Sequence, residues 1–254
     1  MTNTQVTLIQ LDNYGPWTVT PTPRREVDLQ TLQSRLFADL SQLIGNLDGY
    51  VFFTRFDNMI AVTNGLDLED HARIQESVSN RYPVTISLGV GYGPSPANAL
   101  VDATALLQEE GSAQDEDRTE VLMGQTVDDT ERTDEDVQIA HFDVINATGK
   151  YTDELDAFST FIHIEEGYAT LMEYLHRDGD SLSFFVGGDN VIAVCPDLTR
   201  SDYETAIEHV ESNTDVTLQV GVGRGATAHD AGMGAKHGLE DCREAGTKIE
   251  GDLA

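Results

Sequence analysis

The sequence predicts an α+β protein built as a tandem duplication of a ferredoxin-like domain. Apolar residues recur in the order β-α-β-β-α-β in both halves of the 254-residue chain. The two hairpin tips carry Asp57 and Asp189, which are 132 residues apart, and the first strands end at Asp12 and Asp143, which are 131 apart. The same spacing of 132 relates the glycines of two late strands, Gly89, Gly91 and Gly93 to Gly221, Gly223 and Gly225. Such regular spacing indicates a duplication. The order β-α-β-β-α-β predicts an antiparallel sheet in each copy, with helices on one face.

The first copy opens with a predicted strand over 5–12, followed by a segment rich in turn-forming residues. Leucines at helical spacing then predict a helix over 28–44. The copy is completed by a hairpin over 50–62, a helix from Glu69, a strand over 84–93 and a helix over 96–110.

The second copy repeats this order. Its predicted elements are a strand and turn over 136–149, a helix over 153–177, a hairpin over 182–194, a helix over 202–212, a strand over 216–225 and a helix over 227–245. Between the copies, residues 124–135 are polar and acidic without apolar periodicity. They are predicted to link a first domain over 1–123 to a second over 136–254.

The composition is that of a folded protein with an extreme charge. Asp and Glu number 45 against 15 Lys and Arg, for a formal net charge of −30, which argues against nucleic acid as a partner. No apolar run is long enough to span a bilayer, and the N-terminus lacks the features of a signal peptide, so a cytoplasmic protein without a membrane partner is expected. Cys195 and Cys242 are too few for a disulfide framework or a cysteine-rich zinc site.

The acidic residues are dispersed along the whole chain, and only three of the basic residues are lysines. This pattern is typical of proteins that stay soluble in very high salt, where screening weakens self-repulsion. The alternative is an ordinary acidic protein of a low-salt environment.

Two aspartates in each copy are the candidate catalytic and metal-binding residues, Asp12 with Asp57 and Asp143 with Asp189. The first strand is central in a ferredoxin-like sheet and the hairpin pairs beside it, so each pair of carboxylates is expected to meet at one sheet edge. Oxygen ligands of this kind suit Mg²⁺, and two such ions can clamp the attacking and leaving oxygens. An Asp-Asn hairpin tip is also ordinary turn chemistry, but its recurrence favours metal binding.

Candidate substrate-binding residues follow Asp12. They are Asn13, Tyr14, Gly15 and Trp17, interpreted as a turn whose backbone N–H groups face phosphate oxygens.

Two arginines and the hairpin tips supply the other candidate substrate-binding residues. Arg24 and Arg25 are expected to bind phosphate, with a surface salt bridge as an equal alternative. At the tips the candidates are Asn58, Gly187, Gly188 and Asn190, since a Gly-Gly pair lets a nucleotide approach the backbone closely.

The remaining polar motifs favour structural interpretations. The segment 111–118 is either a turn, which we favour, or a base-recognising site. His141 lies on the strand face of Asp143 and is either structural, which we favour, or a residue that assists a nearby reaction. No histidine spacing indicates zinc.

Seven longer strings carry a resemblance over nearly the whole chain. They are IQLDNYGPWTVTPTPRRE (9–26), LQSRLFADL (32–40), FFTRFDN (52–58), RIQESVSNRYP (73–83), GSAQDEDR (111–118), VQIAHFDVIN (137–146) and FFVGGDN (184–190). Together they resemble archaeal GTP cyclohydrolase III, with the added acid of a halophilic member. The Asp strand and the Gly-Gly-Asp-Asn hairpin also resemble the palm domain of nucleotidyl cyclases, diguanylate cyclases and polymerases.

The resemblance implies a hydrolase acting on GTP. Members of that family open the imidazole ring between C8 and N9, retain the formyl group and remove the β and γ phosphates. The product is 2-amino-5-formylamino-6-(5-phosphoribosylamino)pyrimidin-4(3H)-one, which leads to flavins and deazaflavins. The resemblance also implies two Mg²⁺ ions in the palm position, no zinc, K⁺ as a monovalent activator, and a homo-oligomer, with a tetramer favoured.

Other functions and the choice between the copies remain open from sequence. A nucleotidyl cyclase and a non-catalytic nucleotide-binding module are the alternatives. The first copy is slightly favoured as the catalytic one because Arg24 and Arg25 follow Asp12, whereas the second copy has the Gly-Gly hairpin.

The dispersed charge predicts that the fold is stabilised by salt. We expect the melting temperature to rise with KCl concentration up to the molar range, because screening reduces repulsion among the carboxylates. Thermal melts across ionic strength test this, and a melting temperature that stays constant or falls would contradict it.

Overall fold

The computed structural model describes residues 3–55, 57–126 and 136–253. The chain divides into two compact units, one built from Thr4–Pro94 with Asn98–Asp134 and the other mainly from Glu135–Ala254. Residues 127–135, most of the predicted linker, lie outside the described residues. Its predicted start, Gly124, belongs instead to a short strand.

The first unit has the predicted order, with a short helix added after the first strand and a short strand added at the end. Its elements are β1 (Thr4–Leu11), α1 (Tyr14–Val19), α2 (Glu26–Gly45), β2 (Tyr50–Arg55), β3 (Asn58–Val62), α3 (Leu68–Arg81), β4 (Ile86–Gly93), α4 (Pro96–Glu109) and β5 (Leu122–Gly124). The sheet order is β2-β3-β1-β4-β5. Strand β1 is central and antiparallel to β3 and β4, as predicted, whereas β5 adds a parallel edge to β4.

The second unit repeats this arrangement. Its elements are β6 (Val137–Val144), a π-helical turn (Thr148–Thr152), α5 (Ala157–Gly179), β7 (Leu182–Gly187), β8 (Asn190–Cys195), α6 (Arg200–Asn213), β9 (Leu218–Gly225), α7 (Ala228–Ala245) and β10 (Ile249–Gly251). The sheet order is β10-β9-β6-β8-β7, with β10 parallel to β9. The tandem α+β duplication predicted from the sequence is therefore confirmed.

Matching helix starts support the duplication at the level of local chemistry. Helix α3 begins with a capping box in which Asp67 and Asp70 bond each other's backbone N–H groups. Helix α6 begins with the same device, made by Thr199 and Asp202 at a spacing of 132. These side chains satisfy backbone donors that the first helical turn leaves unpaired.

The helices lie on both faces of each sheet, whereas the sequence predicts one face. In the first unit, α2 and α3 pack as predicted on the face that carries Ile9 and Leu11. Helix α4 packs on the opposite face, where a Cβ added to Gly91 would lie 2.0 Å from the Ala99 carbonyl oxygen. In the second unit, α7 approaches Gly223 in the same way, with the Ala231 oxygen 2.2 Å from an added Cβ. Glycine on these strands thus permits backbone contact with a third helix.

The registers of the two sheets correct the pairing of aspartates between the copies. Gln10 pairs with Asn58 in the first unit, and Asp143 pairs with Asn190 in the second. Asp143 therefore corresponds to Gln10, and Asp12 corresponds to Ile145, at a spacing of 133 instead of 131. The copies share a fold but carry their first-strand carboxylates two residues apart.

The glycine contacts predict a large loss of stability on adding a methyl group. Gly91→Ala should lower the free energy of unfolding by about 1–3 kcal/mol, because the added carbon overlaps the Ala99 carbonyl. Gly45→Ala is the matched control, since an added Cβ there meets nothing within 4 Å. Denaturant unfolding of both variants tests this, and equal stabilities would contradict the packing described.

Candidate functional site

Asp12 follows β1 and is buried, with 4% of its surface exposed. Its carboxylate accepts hydrogen bonds from Thr85 Oγ1 at 2.8 Å, Ser87 Oγ at 2.6 Å and the backbone N–H of Glu120 at 2.9 Å. Arg118 Nη1 lies 3.9 Å from Asp12 Oδ1. A buried carboxylate is tolerated only with such partners, and these contacts hold the Asp12 carboxylate in one orientation.

Asp57 lies at the hairpin tip beside the end of β1, where its carbonyl oxygen accepts a hydrogen bond from the Leu11 N–H at 3.0 Å. Its carboxylate pairs with Arg55 at 2.7 Å and accepts a hydrogen bond from Asn58 Nδ2 at 3.1 Å. Burial acts to raise the pKa of Asp57, but the bonds from Arg55 and Asn58 outweigh it, and the pKa is lowered. The structure thus brings the backbone of both aspartates to one sheet edge, with different partners for each carboxylate.

Asp143 lies near the end of β6 and is 6% exposed. Gln219 Nε2 donates a hydrogen bond to its Oδ2 at 2.8 Å, and Arg243 Nη2 lies 3.0 Å from its Oδ1. The carboxylate is therefore held by a neighbouring strand and by the last turn of α7.

Asp189 and Asp143 of the second unit lie close enough to interact electrostatically. Burial raises the pKa of Asp189, the negative charge of Asp143 raises it further, and Arg243 partly opposes both. A shared cation between the two carboxylates would relieve this repulsion.

His141 meets the hairpin tip of the second unit. Its Nε2 lies 3.0 Å from Asn190 Oδ1, an arrangement in which the neutral ring donates to the amide oxygen. Burial lowers the pKa of His141, which favours that neutral form. The first unit has Leu8 at the corresponding position, so the two sites differ in chemistry.

The segment after Asp12 is helix α1 rather than the predicted phosphate-binding turn. Asn13 adopts a left-handed conformation with φ 49°, and Tyr14 to Val19 form the helix, including Gly15, Pro16 and Trp17. The proline is compatible because an N–H is not needed in the first helical turn. Two N–H groups expected to face phosphate are already bonded, that of Asn13 to the Ala113 oxygen and that of Gly15 to Gln114 Oε1.

Arg24 and Arg25 have different roles. Arg24 Cζ lies 3.8 Å from the centre of the Trp17 ring, and its Nε donates to the Trp17 carbonyl oxygen at 3.0 Å. Arg25 forms a 2.7 Å ion pair with Asp28, with both side chains exposed. The surface salt bridge that was the alternative therefore applies to Arg25, while Arg24 is held on an aromatic face.

Gly187 and Gly188 are required by the turn itself. Their φ angles of 113° and 66° lie in the region that side chains disfavour. Asn190 Nδ2 donates weakly to the Gly187 oxygen and to Asp189, both at 3.4 Å. Turn geometry is thus sufficient to explain this glycine pair.

The structure adds three residues that sequence reasoning missed: Arg118, Gln219 and Arg243. Each contacts a first-strand aspartate from an element far away in sequence. The scarcity of basic residues is the signal that could have indicated the two arginines, because a buried Asp in this chain needs one of few cations. No sequence signal indicates Gln219. Among the described residues, no helix combines the length and apolar character needed to cross a bilayer.

The opposite pKa shifts of the two hairpin aspartates predict opposite effects of neutralisation. With EDTA at neutral pH, Asp189→Asn should raise the melting temperature by about 1–3 °C, because ionised Asp189 costs stability above its raised pKa. Asp57→Asn should lower it or leave it unchanged, because the ionised form of Asp57 is favoured in the fold. Calorimetric melts decide; destabilisation by Asp189→Asn would contradict the repulsion.

Comparison with known proteins shows similarity to GTP cyclohydrolase III proteins over nearly the whole chain. The family model described as GTP cyclohydrolase III matches residues 6–253. The chain is 74% identical to GTP cyclohydrolase III 1 of Halobacterium salinarum, over 98% of both chains, and 68% identical to GTP cyclohydrolase III of Natronomonas pharaonis, over 98% of this chain and 99% of that one. It is 48% identical to GTP cyclohydrolase III of Methanocaldococcus jannaschii, over 94% of this chain and 88% of that one. The chain belongs to the GTP cyclohydrolase III family.

Proposed function

We propose that this protein is a Mg²⁺-dependent GTP cyclohydrolase. It opens the imidazole ring of GTP, retains the formyl group and releases the β and γ phosphates, giving 2-amino-5-formylamino-6-(5-phosphoribosylamino)pyrimidin-4(3H)-one. The observation that carries the proposal is the 74% identity, over 98% of both chains, to a protein named GTP cyclohydrolase III 1. The product, the metal and the release of phosphate follow from the family resemblance. The aspartates and the palm-like fold are consistent with it.

The residues present fit Mg²⁺. Among the described residues, no group of three His, Cys, Asp or Glu side chains is arranged to hold a metal ion. Each unit instead places two aspartates at one end of its sheet: the Asp57 carbonyl bonds the N–H of Leu11, next to Asp12, and Asp143 and Asp189 interact electrostatically. This suits Mg²⁺, which binds proteins through one or two carboxylates and fills its other positions with water and substrate phosphates. Asp12 and Asp57, or Asp143 and Asp189, would hold it.

We assign the chemistry to the first unit. The guanidinium of Arg24 lies over the Trp17 ring, and both residues are close in sequence to Asp12. Arg24 thereby supplies a positive charge for a triphosphate. In the second unit, the corresponding segment carries Lys150, whose ammonium is already bonded to the carbonyl oxygen of Asp215. The partner of Asp57, Arg55, is largely exposed, so a metal ion displaces it at little cost.

The chain's own residues prepare the reaction. Ring opening breaks the C8–N9 bond and consumes one water, whose oxygen becomes the formyl oxygen on C8 and whose two protons go to N9 and N7. Thr85 and Ser87 fix the orientation of the Asp12 carboxylate, and Arg118 offsets its charge. When bound, Mg²⁺ supplies charge neutralisation for the phosphates and lowers the pKa of water. Preorganised charges of this kind are effective because they need not reorient during the reaction.

Three further properties are part of the proposal on the strength of the family resemblance. They are stimulation by K⁺, assembly as a homo-oligomer with a tetramer favoured, and a cytoplasmic location.

Incubation with GTP tests the proposed reaction. With Mg²⁺ we expect loss of the purine ultraviolet spectrum together with release of orthophosphate, and with EDTA we expect neither, because the two-carboxylate sites lack charge compensation for the phosphates. Mass analysis of the product separates ring opening from cyclisation. Phosphate release with an intact purine spectrum would contradict the proposal, as would restoration of the EDTA-treated enzyme by trace zinc alone.

Charge removal at each aspartate tests the assignment to the first unit. Asp12→Asn and Asp57→Asn should each lower kcat by at least about 100-fold, because a misplaced metal loses several kcal/mol of transition-state stabilisation. Asp143→Asn and Asp189→Asn are the matched controls and should act mainly on stability. Circular dichroism confirms folding. Wild-type turnover in both first-unit variants would move the active site to the second unit.

A further inference from the structure

A cleft of about 500 Å³ opens beside the first-unit site, on the segment that joins α4 to β5. Its lining includes Gln114, Arg118 and the carboxylates of Glu110, Asp115, Glu116 and Asp117. The volume is in the range of small-ligand sites. Acidic side chains alone would repel a nucleotide's phosphates, so the phosphates are not what this cleft accepts.

Arg118 adds buried hydrogen-bond donors to the otherwise acidic lining of the cleft. The residue is 5% exposed, and its Nη2 donates one hydrogen bond, to Gln10 Oε1 at 3.0 Å. Its Nε and Nη1 are buried and make no hydrogen bond in the described part of the chain. Nη1 faces Asp12 only at the distance of an ion pair, 3.9 Å. Buried donors without acceptors are costly and are normally explained by a missing partner.

The same segment is hydrogen-bonded to Asp12 and to the residues that follow it. The Ala113 carbonyl accepts from the Asn13 N–H at 2.7 Å, Gln114 Oε1 accepts from the Gly15 N–H at 3.0 Å, and the Glu120 N–H donates to Asp12. A ligand in the cleft therefore lies next to the residues that would hold the reacting nucleotide.

Guanine carries both acceptors for the unbonded donors of Arg118 and donors for the carboxylates of this lining. Its O6 and N7 are the acceptors that arginine pairs with, and its N1–H and 2-amino group are donors that suit a carboxylate. We propose that the 110–118 segment is the guanine-recognising subsite, with Arg118 at the O6/N7 edge and a carboxylate of 115–117 at the N1/2-amino edge. The inference rests on the proposed function for the identity of the nucleotide.

The turn interpretation explains only part of this segment. Asp115 Oδ2 accepts from the Ser112 N–H at 3.2 Å, and its carbonyl accepts from the Arg118 N–H at 3.2 Å. These bonds shape the loop. They do not use the Arg118 guanidinium.

Amide variants and altered bases test the subsite. Asp115→Asn, Glu116→Gln and Asp117→Asn are compared with Asp102→Asn, an exposed position on α4, for kcat/KM with GTP, ITP and XTP. At least one of the three should lose about 100-fold with GTP and favour XTP, because an amide can donate to the xanthine 2-carbonyl while a carboxylate cannot. Asp102→Asn should keep the wild-type order of bases. Unchanged base preference in all three variants would overturn the proposal.

The arginine contact is tested through the ligand, so that a poorly folded variant does not decide the outcome. Equilibrium dialysis should show wild-type protein binding 7-deaza-GTP about 10-fold more weakly than GTP, because C7–H cannot accept from Arg118; equal affinities would overturn that contact.

Binding measurements also separate the guanine subsite from the proposed function. Base-selective binding without ring opening would leave the subsite standing and contradict the proposed function, whereas ring opening without base selectivity would do the reverse.

Discussion

A buried carboxylate at the end of the central strand, in a chain of net charge −30, must find one of very few cations. In the second unit this constraint explains the position of α7. Residues at every fourth position of that helix follow β9: Ala231 lies over Gly223, and Ala235 and Leu239 lie over Gly221. The next member of the stripe is Arg243, which pairs with Asp143. The glycines that let the helix approach thus also bring its arginine to the site.

The first unit meets the same constraint by a different route. Helix α4 lies over Gly91 and Gly89 in the same way, but it ends at Glu109, before a residue corresponding to Arg243. The cation comes instead from Arg118, in the segment that leads to β5. That segment also bonds Asn13 and Gly15, so the charge partner of Asp12 and the loop beside α1 form one structure. Equivalent folds therefore carry sites of different composition.

Much of the fold could be predicted from apolar patterning, because the central strands are buried along almost their whole length and the long helices bury one face. The short edge strands β5 and β10 were not predicted. Helix α1 was missed because Asn, Gly and Pro within six residues resemble a turn. The opposite-face position of α4 and α7 could not be predicted, since glycines at alternate strand positions indicate close packing without naming the partner.

The sequence named the aspartates but not the residues that contact them. Asp143 corresponds to Gln10, two residues before Asp12. Positions two apart on a strand point to the same face, so the pattern of the sequence does not distinguish the two positions. Only the strand registers separate them. Arg118 lay in a segment interpreted as a turn, and its contact with Asp12 spans more than a hundred residues, which local sequence cannot reveal.

The proposed function requires an incomplete Mg²⁺ site on the aspartates that the nucleotide's phosphates complete. Calorimetric titration of Mg²⁺ into the protein, with and without a non-hydrolysable GTP analogue, tests it most directly. Binding should be weak alone, with a dissociation constant of about 1 mM or above, and at least about 10-fold tighter with the analogue, since the ligands supply each other's contacts. Equal Mg²⁺ affinity in the two titrations would contradict a metal site that the nucleotide completes.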